Sequence, residues 1–241
     1  MKKLILIVFA LFFVSGISSA QFFNKFSLFG GPMIGWQVPQ VSDLNAELKK
    51  LYFPTEFPKS GFLTLGGGGY IDIPGVNGLR VGGFGTGFTD DETYESINPE
   101  ADILAAKFSF RYAAISVEYG RRLSKKFEYT LGGNIGIGKT SIGLSRFRTS
   151  SSGWGFENGY TLSSGNSTNT FTSTTYTFNP QVGLGLNVTK FMYLKLNAGY
   201  MFTIRGDWKL NDVLTVTNVP TSIKADGFNF SLGINFGLFA D

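Results

Sequence analysis

The sequence predicts an all-β protein that forms a single antiparallel up-and-down β-barrel of eight strands across a membrane. Three observations support this. Segments in which apolar residues alternate with polar or small ones recur along the chain, short and long connections between them alternate, and the first twenty residues resemble an export signal. A soluble sandwich would also explain the alternation, but it gives no reason for loops sorted by length.

Residues 1–20 are predicted to be a cleaved signal peptide, which leaves 21–241 as the barrel domain. Lys2 and Lys3 supply a positive start, an apolar run continues to Val14, and small residues before Gln21 offer a cleavage site. The apolar run is too short to span a bilayer comfortably. An uncleaved anchor is the alternative.

Composition narrows the class of protein. The formal charge of +4 becomes +2 when Lys2 and Lys3 leave with the signal, which is too weak to predict a nucleic-acid partner. The hydrophobic fraction is 43%, and no long apolar run follows residue 20, which argues against a helical membrane protein. A barrel fits this hydropathy, because only alternate residues need to be apolar. The 32 glycines and 25 phenylalanines suit a narrow barrel with an aromatic surface.

Eight segments are predicted to be strands. Their ranges are 26–37, 60–73, 78–89, 104–122, 126–147, 171–189, 191–206 and 224–239. The alternation is clear in the fifth to eighth segments, and in the seventh it places one set of residues toward lipid: Leu194, Leu196, Ala198, Tyr200, Phe202 and Ile204. Pro180 in the sixth segment is expected near the upper rim. Proline has no backbone N–H to donate to the neighbouring strand, and this loss destabilises a sheet least at its rim.

The third and fourth segments are less regular. In the fourth, the apolar residues change parity between Tyr112 and Ile115. A β-bulge near Ala113 and Ala114, or an extension of the strand above the membrane, would explain the change, and the sequence leaves both open. Residues 210–216 in the last long connection could add a short hairpin.

The connections are predicted to be short at 74–77, 123–125 and 190, and long at 38–59, 90–103, 148–170 and 207–223. The first long connection contains a predicted helix from Ser42 to Tyr52, with Ser42 or Asp43 as its cap and Pro54 and Pro58 beyond its end. Its apolar face is Leu44, Leu48 and Leu51. This helix either covers its own barrel or binds a partner.

Charged residues expected in the lumen form the candidate site. They are Asp72, Arg80, Arg111, Glu118, Glu128, Lys195 and Arg205. The interior of an eight-stranded barrel is just filled by side chains, and buried ions there must pair. These residues are therefore interpreted as a polar plug of ion pairs, with a gated pathway or a ligand pocket as the alternative.

The end of the chain carries a specific pattern. From Phe228 to Leu238 apolar residues alternate with small or polar ones, and Ser231, Gly233, Phe236 and Leu238 match the spacing of the terminal assembly signal of outer-membrane barrels. The mature chain therefore resembles small bacterial outer-membrane β-barrels of the OmpA/OmpX and OmpW-like kind. It departs from them in the tail, because such chains often stop at the aromatic residue, whereas here the chain continues to Asp241.

This resemblance implies a place in the bacterial outer membrane, contact with its lipid and lipopolysaccharide, and recognition by the barrel-assembly machinery. It implies a structural or surface-interaction role, with recognition by extracellular loops whose ligand is unknown. The alternative is a narrow channel or transporter for small, perhaps hydrophobic, molecules. Trp154 and Phe156 are candidate exposed aromatics in one of these loops, with packing against the helix or Trp208 as the other interpretation.

Enzymatic activity is not expected. The chain has no histidine, the commonest general base, and no cysteine, so neither a catalytic residue nor a metal site or other cofactor is predicted. The glycine run from Gly66 to Gly69 lacks the Lys-Ser/Thr ending of a phosphate-binding loop and lies within a predicted strand. It is interpreted as a closely packed strand segment.

Overall fold

The computed structural model describes residues 27–54, 56–94, 103–147 and 167–239. The helix α1 spans Ser42–Lys50. The strands are β1 Leu28–Pro39, β2 Phe62–Asp72, β3 Leu79–Tyr94, β4 Ile103–Arg122, β5 Phe127–Phe147, β6 Ser167–Asn187, β7 Met192–Leu210, β8 Leu214–Val216 and β9 Gly227–Leu238. The predicted signal peptide, Trp154 and Phe156 lie outside the described residues.

Eight of these strands close into a barrel. Each of β1 to β6 pairs antiparallel with the next strand in sequence, β7 pairs with β9, and β9 returns to β1. The closing seam joins Leu28 to Leu238 at one end and Pro39 to Gly227 at the other. The prediction of an eight-stranded up-and-down barrel is confirmed. Within the described residues, the short strand β8 pairs with β7 alone, so the additional hairpin also forms.

The connections are sorted by length between the two ends of the barrel, as predicted. Residues 73–78, 123–126 and 188–191 form short turns at one end, called the turn end here. The other end, called the loop end, carries the connection 40–61 with α1 and the connection 211–226 with β8. Because the strand count of the ring is even, β1 begins and β9 finishes at the turn end.

The outer wall is apolar over the middle of the barrel. Alternate residues of every ring strand point outward, and those of β9 illustrate the pattern, with exposed fractions from 38% at Ile234 to 59% at Phe228. A belt of exposed large apolar side chains around a closed sheet is the surface that hydrocarbon requires. Among the described residues, no helix is long and apolar enough to cross a membrane.

In strand β4 the alternation of inward and outward side chains continues without interruption along the whole strand. It pairs without a register shift from Ile103 to Arg122 with β5, and its pairing with β3 is likewise unshifted. Phe108, Phe110 and Tyr112 point inward and are buried, whereas Ile115 points outward and is 66% exposed. The bulge alternative is therefore wrong. The strand extends beyond the apolar belt, and there the interior becomes aromatic while the outside becomes polar.

Pro180 does not lie at the rim. It points outward from the middle of β6, between Phe178 and Val182, which are both half-exposed members of the apolar belt. The hydrogen-bonded ladder between β6 and β7 is interrupted here. The next pair after Phe178–Phe202 is Gln181–Gly199, so residues 179 and 180 have no partner on β7. This gap removes the need for a donor at residue 180, which the sequence does not reveal.

An apolar core fills the loop end of the barrel, and α1 forms its lid. Leu44 and Leu48 of the helix are buried against inward aromatics, among them Phe108 and Phe110. The Asn45 side chain donates to the Phe57 carbonyl at 2.9 Å and accepts from the Phe57 amide at 2.9 Å, which fixes the following loop against the helix. The helix therefore covers its own barrel.

Two details of the helix differ from the prediction. The residue before its first turn is Val41, and no side chain caps the helix, so neither Ser42 nor Asp43 serves as the cap. Leu51 follows the last helical residue and is 55% exposed. The buried face of α1 thus consists of Leu44, Asn45 and Leu48, with Val41 just before it.

Replacing Leu48 with alanine should loosen the lid without opening the barrel. The lost burial and the resulting cavity are expected to cost about 2–5 kcal/mol locally. Trypsin should therefore cleave after Lys49 and Lys50 faster in the variant, measured on refolded protein in detergent. The Leu51→Ala variant is the control, because Leu51 is largely exposed. Equal cleavage of all three proteins would show that the lid does not depend on this packing.

Candidate functional site in the barrel interior

The turn end of the lumen contains a cluster of buried ions centred on Arg80 of β3. Its guanidinium donates through Nε to Asp72 Oδ1 at 2.8 Å, and through Nη1 and Nη2 to the two Glu128 oxygens at 2.5 and 2.9 Å. Asp72 is the direct cross-strand neighbour of Arg80. The bidentate contact with Glu128 is the strongest geometry available to an arginine and a carboxylate. One cation therefore joins β2, β3 and β5 from the inside.

A second ion pair lies beside the first. Lys195 of β7 donates to Glu118 Oε2, and the two side chains are 2% and 1% exposed. Arg80 Nη1 lies 3.8 Å from Glu118 Oε1, which joins the two pairs into one network. The Tyr193 hydroxyl donates to Glu128, and the Lys195 ammonium lies 4.0 Å from the centre of the Tyr70 ring.

Glycines opposite these side chains make the cluster possible. Glu118 pairs with Gly132 on β5, and Lys195 pairs with Gly185 on β6. A Cβ atom at Gly132 would lie 2.6 Å from the Glu118 Cβ, and one at Gly185 would overlap the Tyr193 ring. Small residues therefore create the room into which the long charged side chains extend.

Aromatic rings close the turn end around these ions. The rings of Phe29, Tyr193 and Phe239 contact one another with centroid separations of 5.2–5.6 Å. The Arg80 guanidinium carbon lies 5.3 Å from the centre of the Phe29 ring. These rings cover the ions from the turn end, and Glu118, Glu128 and Lys195 are almost completely buried. Pairing with opposite charges therefore has to offset their loss of contact with water.

A layer of amides occupies the middle of the barrel. Asn134 and Gln181 exchange hydrogen bonds of 3.1 and 3.3 Å, Asn179 and Asn229 are paired through their side chains, and Asn197 donates to Ser231. The free space among them is about 50 Å³, which is room for a few water molecules. It lies between the ion cluster and the apolar core at the loop end, so the described side chains occupy the lumen on both sides of it.

Five of the seven predicted lumen charges come together in the ion cluster at the turn end: Asp72, Arg80, Glu118, Glu128 and Lys195. Arg111 does not face the lumen. It shares its parity on β4 with Ile115, points outward, and contacts Thr89 Oγ1 at 3.5 Å. Arg205 lies near the loop end of β7 and donates to the Val219 carbonyl at 3.0 Å, so it is not part of the cluster.

Tyr70 and Tyr193 belong to the cluster although neither is among the predicted site residues. The sequence contains a signal for both tyrosines. Tyr70 lies two residues before Asp72 on β2, and Tyr193 lies two residues before Lys195 on β7, so each points to the same side of its strand as a lumen charge. Inward tyrosines next to inward charges are candidates to supply a hydroxyl or a ring face.

The chemistry open to this interior is limited. With all groups ionised, three carboxylates face two cations, and Glu128 is already held by Arg80 and Tyr193. Within the ranges that the structure covers, no group of three or more acidic side chains is arranged to hold a metal ion. The arrangement joins strands and fills the lumen.

Comparison with known proteins finds similarity only to solved structures, at low sequence identity. No family model and no curated protein matches the chain. Among solved structures, it is similar to a major outer membrane protein of Thermus thermophilus, with 11% identity over 88% of this chain and 99% of that one and a TM-score of 0.49. It is also similar to the attachment invasion locus protein Ail of Yersinia pestis, at 11% identity, 88% and 97% coverage and a TM-score of 0.44.

The outer membrane protease OmpT of Escherichia coli also matches, at 11% identity over 88% of this chain and 94% of that one, with a TM-score of 0.32. Such identities leave function open, since one fold serves many activities. The barrel architecture of this chain is given directly by its own strand pairing.

Breaking one partner of the buried pair should cost more than removing both. Lys195→Met and Glu118→Gln are each expected to lower the free energy of unfolding by about 3–5 kcal/mol, because each leaves an uncompensated buried polar group. The double variant should recover a large part of that loss. Urea unfolding of the refolded barrel, followed by tryptophan fluorescence, measures all four proteins as a double-mutant cycle. Additive losses would show that the two side chains are not coupled.

Proposed function

We propose that this chain is an outer-membrane barrel of structural or surface-interaction type, whose lumen is closed and whose extracellular loops carry recognition. The observation that supports this most strongly is the filling of the interior. Buried ions and three aromatic rings occupy the turn end, and an apolar core under α1 occupies the loop end. An export signal peptide, cleaved before Gln21, is part of the same proposal.

The apolar belt supports a membrane location, and the loop end would then be extracellular, as in bacterial barrels with short periplasmic turns. Its partners in the membrane would be lipid and lipopolysaccharide. Ser231, Gly233, Phe236 and Leu238 lie on β9, the strand that closes the barrel against β1 and β7. This position suits recognition by the assembly machinery, because closure of the barrel depends on this strand.

The surface available for recognition at the loop end contains exposed apolar side chains. Tyr52, which follows α1, is 88% exposed, and Val213 and Leu214 at the β7–β8 hairpin are 79% and 62% exposed.

We further propose that the chain has no enzymatic activity, because histidine and cysteine are absent and Glu128 is held in ion pairs. The alternative of a narrow channel would require both the ion cluster and the aromatic core to move.

A closed lumen predicts the absence of ion conduction. Refolded wild-type protein in planar bilayers should show no conductance steps, because charged and aromatic side chains occupy the lumen above and below the amide layer. A large open porin in the same bilayers is the positive control. Reproducible steps that change in the Lys195→Met variant would favour the channel alternative over the structural one.

The proposed orientation can be tested with single cysteines, since the chain contains none of its own. Val213→Cys at the loop end should react with a membrane-impermeant maleimide on intact cells. Lys125→Cys, an exposed residue in a short turn, is the matched variant and should react only after the outer membrane is permeabilised. The reverse pattern would invert the orientation, and equal labelling would argue against a membrane location.

A further inference from the structure

Arg205 is the predicted lumen charge that faces inward on β7 without joining the ion cluster. It is half-buried, and its guanidinium donates from Nη2 to the Val219 carbonyl at 3.0 Å. Among the residues that the structure describes, no carboxylate forms an ion pair with it. A guanidinium has five N–H donors, so most of those of Arg205 remain available to a ligand.

A β-bulge follows Arg205 directly. Between Arg205 and Trp208, β7 has two residues where the facing part of β6 has one. The Ser173 hydroxyl donates to the Gly206 carbonyl at 2.9 Å, which holds the bulge in place. Bulges change the direction of side chains and occur often beside functional sites. Here the bulge includes Asp207, whose side chain is exposed.

The bulge forms one wall of an open groove of about 570 Å³ at the loop end, called the Arg205 groove here. The other wall is β8 with residues 217–221. Asn218 has a φ of 61°, a left-handed conformation that asparagine tolerates, and the carbonyl of the next residue accepts from Arg205. Small-molecule sites typically measure about 300–1,000 Å³. The polar side chains that line the groove are Arg205, Asp207, Thr215, Thr217, Asn218 and Thr221.

A buried donor beside the groove also lacks an acceptor. Trp208 lines the groove and is 2% exposed, and its Nε1 has no hydrogen-bond partner among the described residues. Buried donors in native proteins are seldom left unsatisfied, and a ligand oxygen would supply the acceptor directly or through a water. The indole N–H and the guanidinium are thus two independent indications of a ligand rich in oxygen atoms, at least one of them anionic.

We propose that the Arg205 groove binds a saccharide that carries a carboxylate. The carboxylate accepts hydrogen bonds from the Arg205 guanidinium, whose planar fork suits this group. The sugar hydroxyls bond to Asp207, Thr217 and Asn218, which together supply acceptors and donors. The inference rests on the proposed function, because it names a ligand class for the loop-end surface.

An acidic peptide suits the groove less well. The apolar residues that line it, Trp208, Val216 and Val219, pack against the apolar core of the loop end. Mainly hydroxyl, amide and charged groups are therefore left to contact a ligand. Peptide recognition typically uses apolar pockets for side chains, whereas the hydroxyls of a sugar need polar partners of this kind.

The test is isothermal titration calorimetry of the refolded barrel with D-glucuronate as the probe. Arg205→Gln should lower the affinity about tenfold, because it removes the partner of the carboxylate. Arg111→Gln is the matched control and should bind like the wild type, since Arg111 also contacts a threonine hydroxyl but points outward from β4. D-Glucose, which lacks the carboxylate, should bind the wild type about tenfold more weakly than D-glucuronate does.

The position of the ligand is measured from the indole N–H signals in the NMR spectrum of isotope-labelled barrel. Saturating D-glucuronate should shift the Trp208 signal. The Trp36 signal should not move, because its Nε1 already donates to the Ser60 carbonyl at 2.7 Å. Heat-modifiable gel mobility verifies folding of each variant. If Arg205→Gln does not fold, Arg205→Lys replaces it and should also weaken binding, because lysine lacks the planar fork.

Equal binding by the wild type and Arg205→Gln, displacement of D-glucuronate by an equal concentration of acetate, or an unshifted Trp208 signal would each overturn the inference. None of these results changes the outcome of the conduction and labelling experiments, so the proposed function can fail or succeed separately. A polysaccharide outside the cell and the sugar acid of lipopolysaccharide both present this chemistry. Tighter binding of D-glucuronate than of deoxyoctulosonate would assign the first source, and the reverse order the second.

Discussion

An eight-stranded barrel is narrow, and this narrowness governs how its interior is built. The lumen has room for side chains but not for bulk water, so every inward residue must contact another inward residue. Arg80 meets this constraint at the turn end by joining carboxylates from β2 and β5, with Glu118 of β4 nearby. The ions are stable there because they are paired, and their pairing fixes the strands around them.

Glycine serves two different purposes in this wall. Inward glycines such as Gly132 and Gly185 leave the space that Glu118, Lys195 and Tyr193 occupy. Outward Gly83 and Gly85 leave space on the outer wall, since an added Cβ there would lie 3.7 and 3.8 Å from its nearest neighbour. The same residue type thus shapes the interior and the exterior, and only the surrounding atoms distinguish the two roles.

The interior changes character along its axis, from paired ions through amides to aromatic rings. This gradient explains the apparent irregularity of β4, in which inward Phe110 and outward Ile115 are both apolar. Inside the loop end, the aromatic rings meet Leu44 and Leu48 of α1, so the first long connection becomes a lid. A closed lumen leaves the outer wall and the loops as the surfaces on which other molecules can act.

The strand number, the sorting of turns and loops, and the inward or outward direction of most residues follow from the sequence alone, because a strand alternates with a strict period of two. The same alternation places Lys195 and Glu118 in the lumen. Which inward charges meet depends on register and height, which are set only when the chain folds, so Arg205 lies at the opposite end of the lumen from the ion cluster. Arg111 points outward, a direction that the local pattern of β4 obscures because apolar residues occupy both of its faces, inward Phe110 and outward Ile115. The gap beside Pro180 likewise belongs to the pairing of two distant segments, which a local pattern cannot specify.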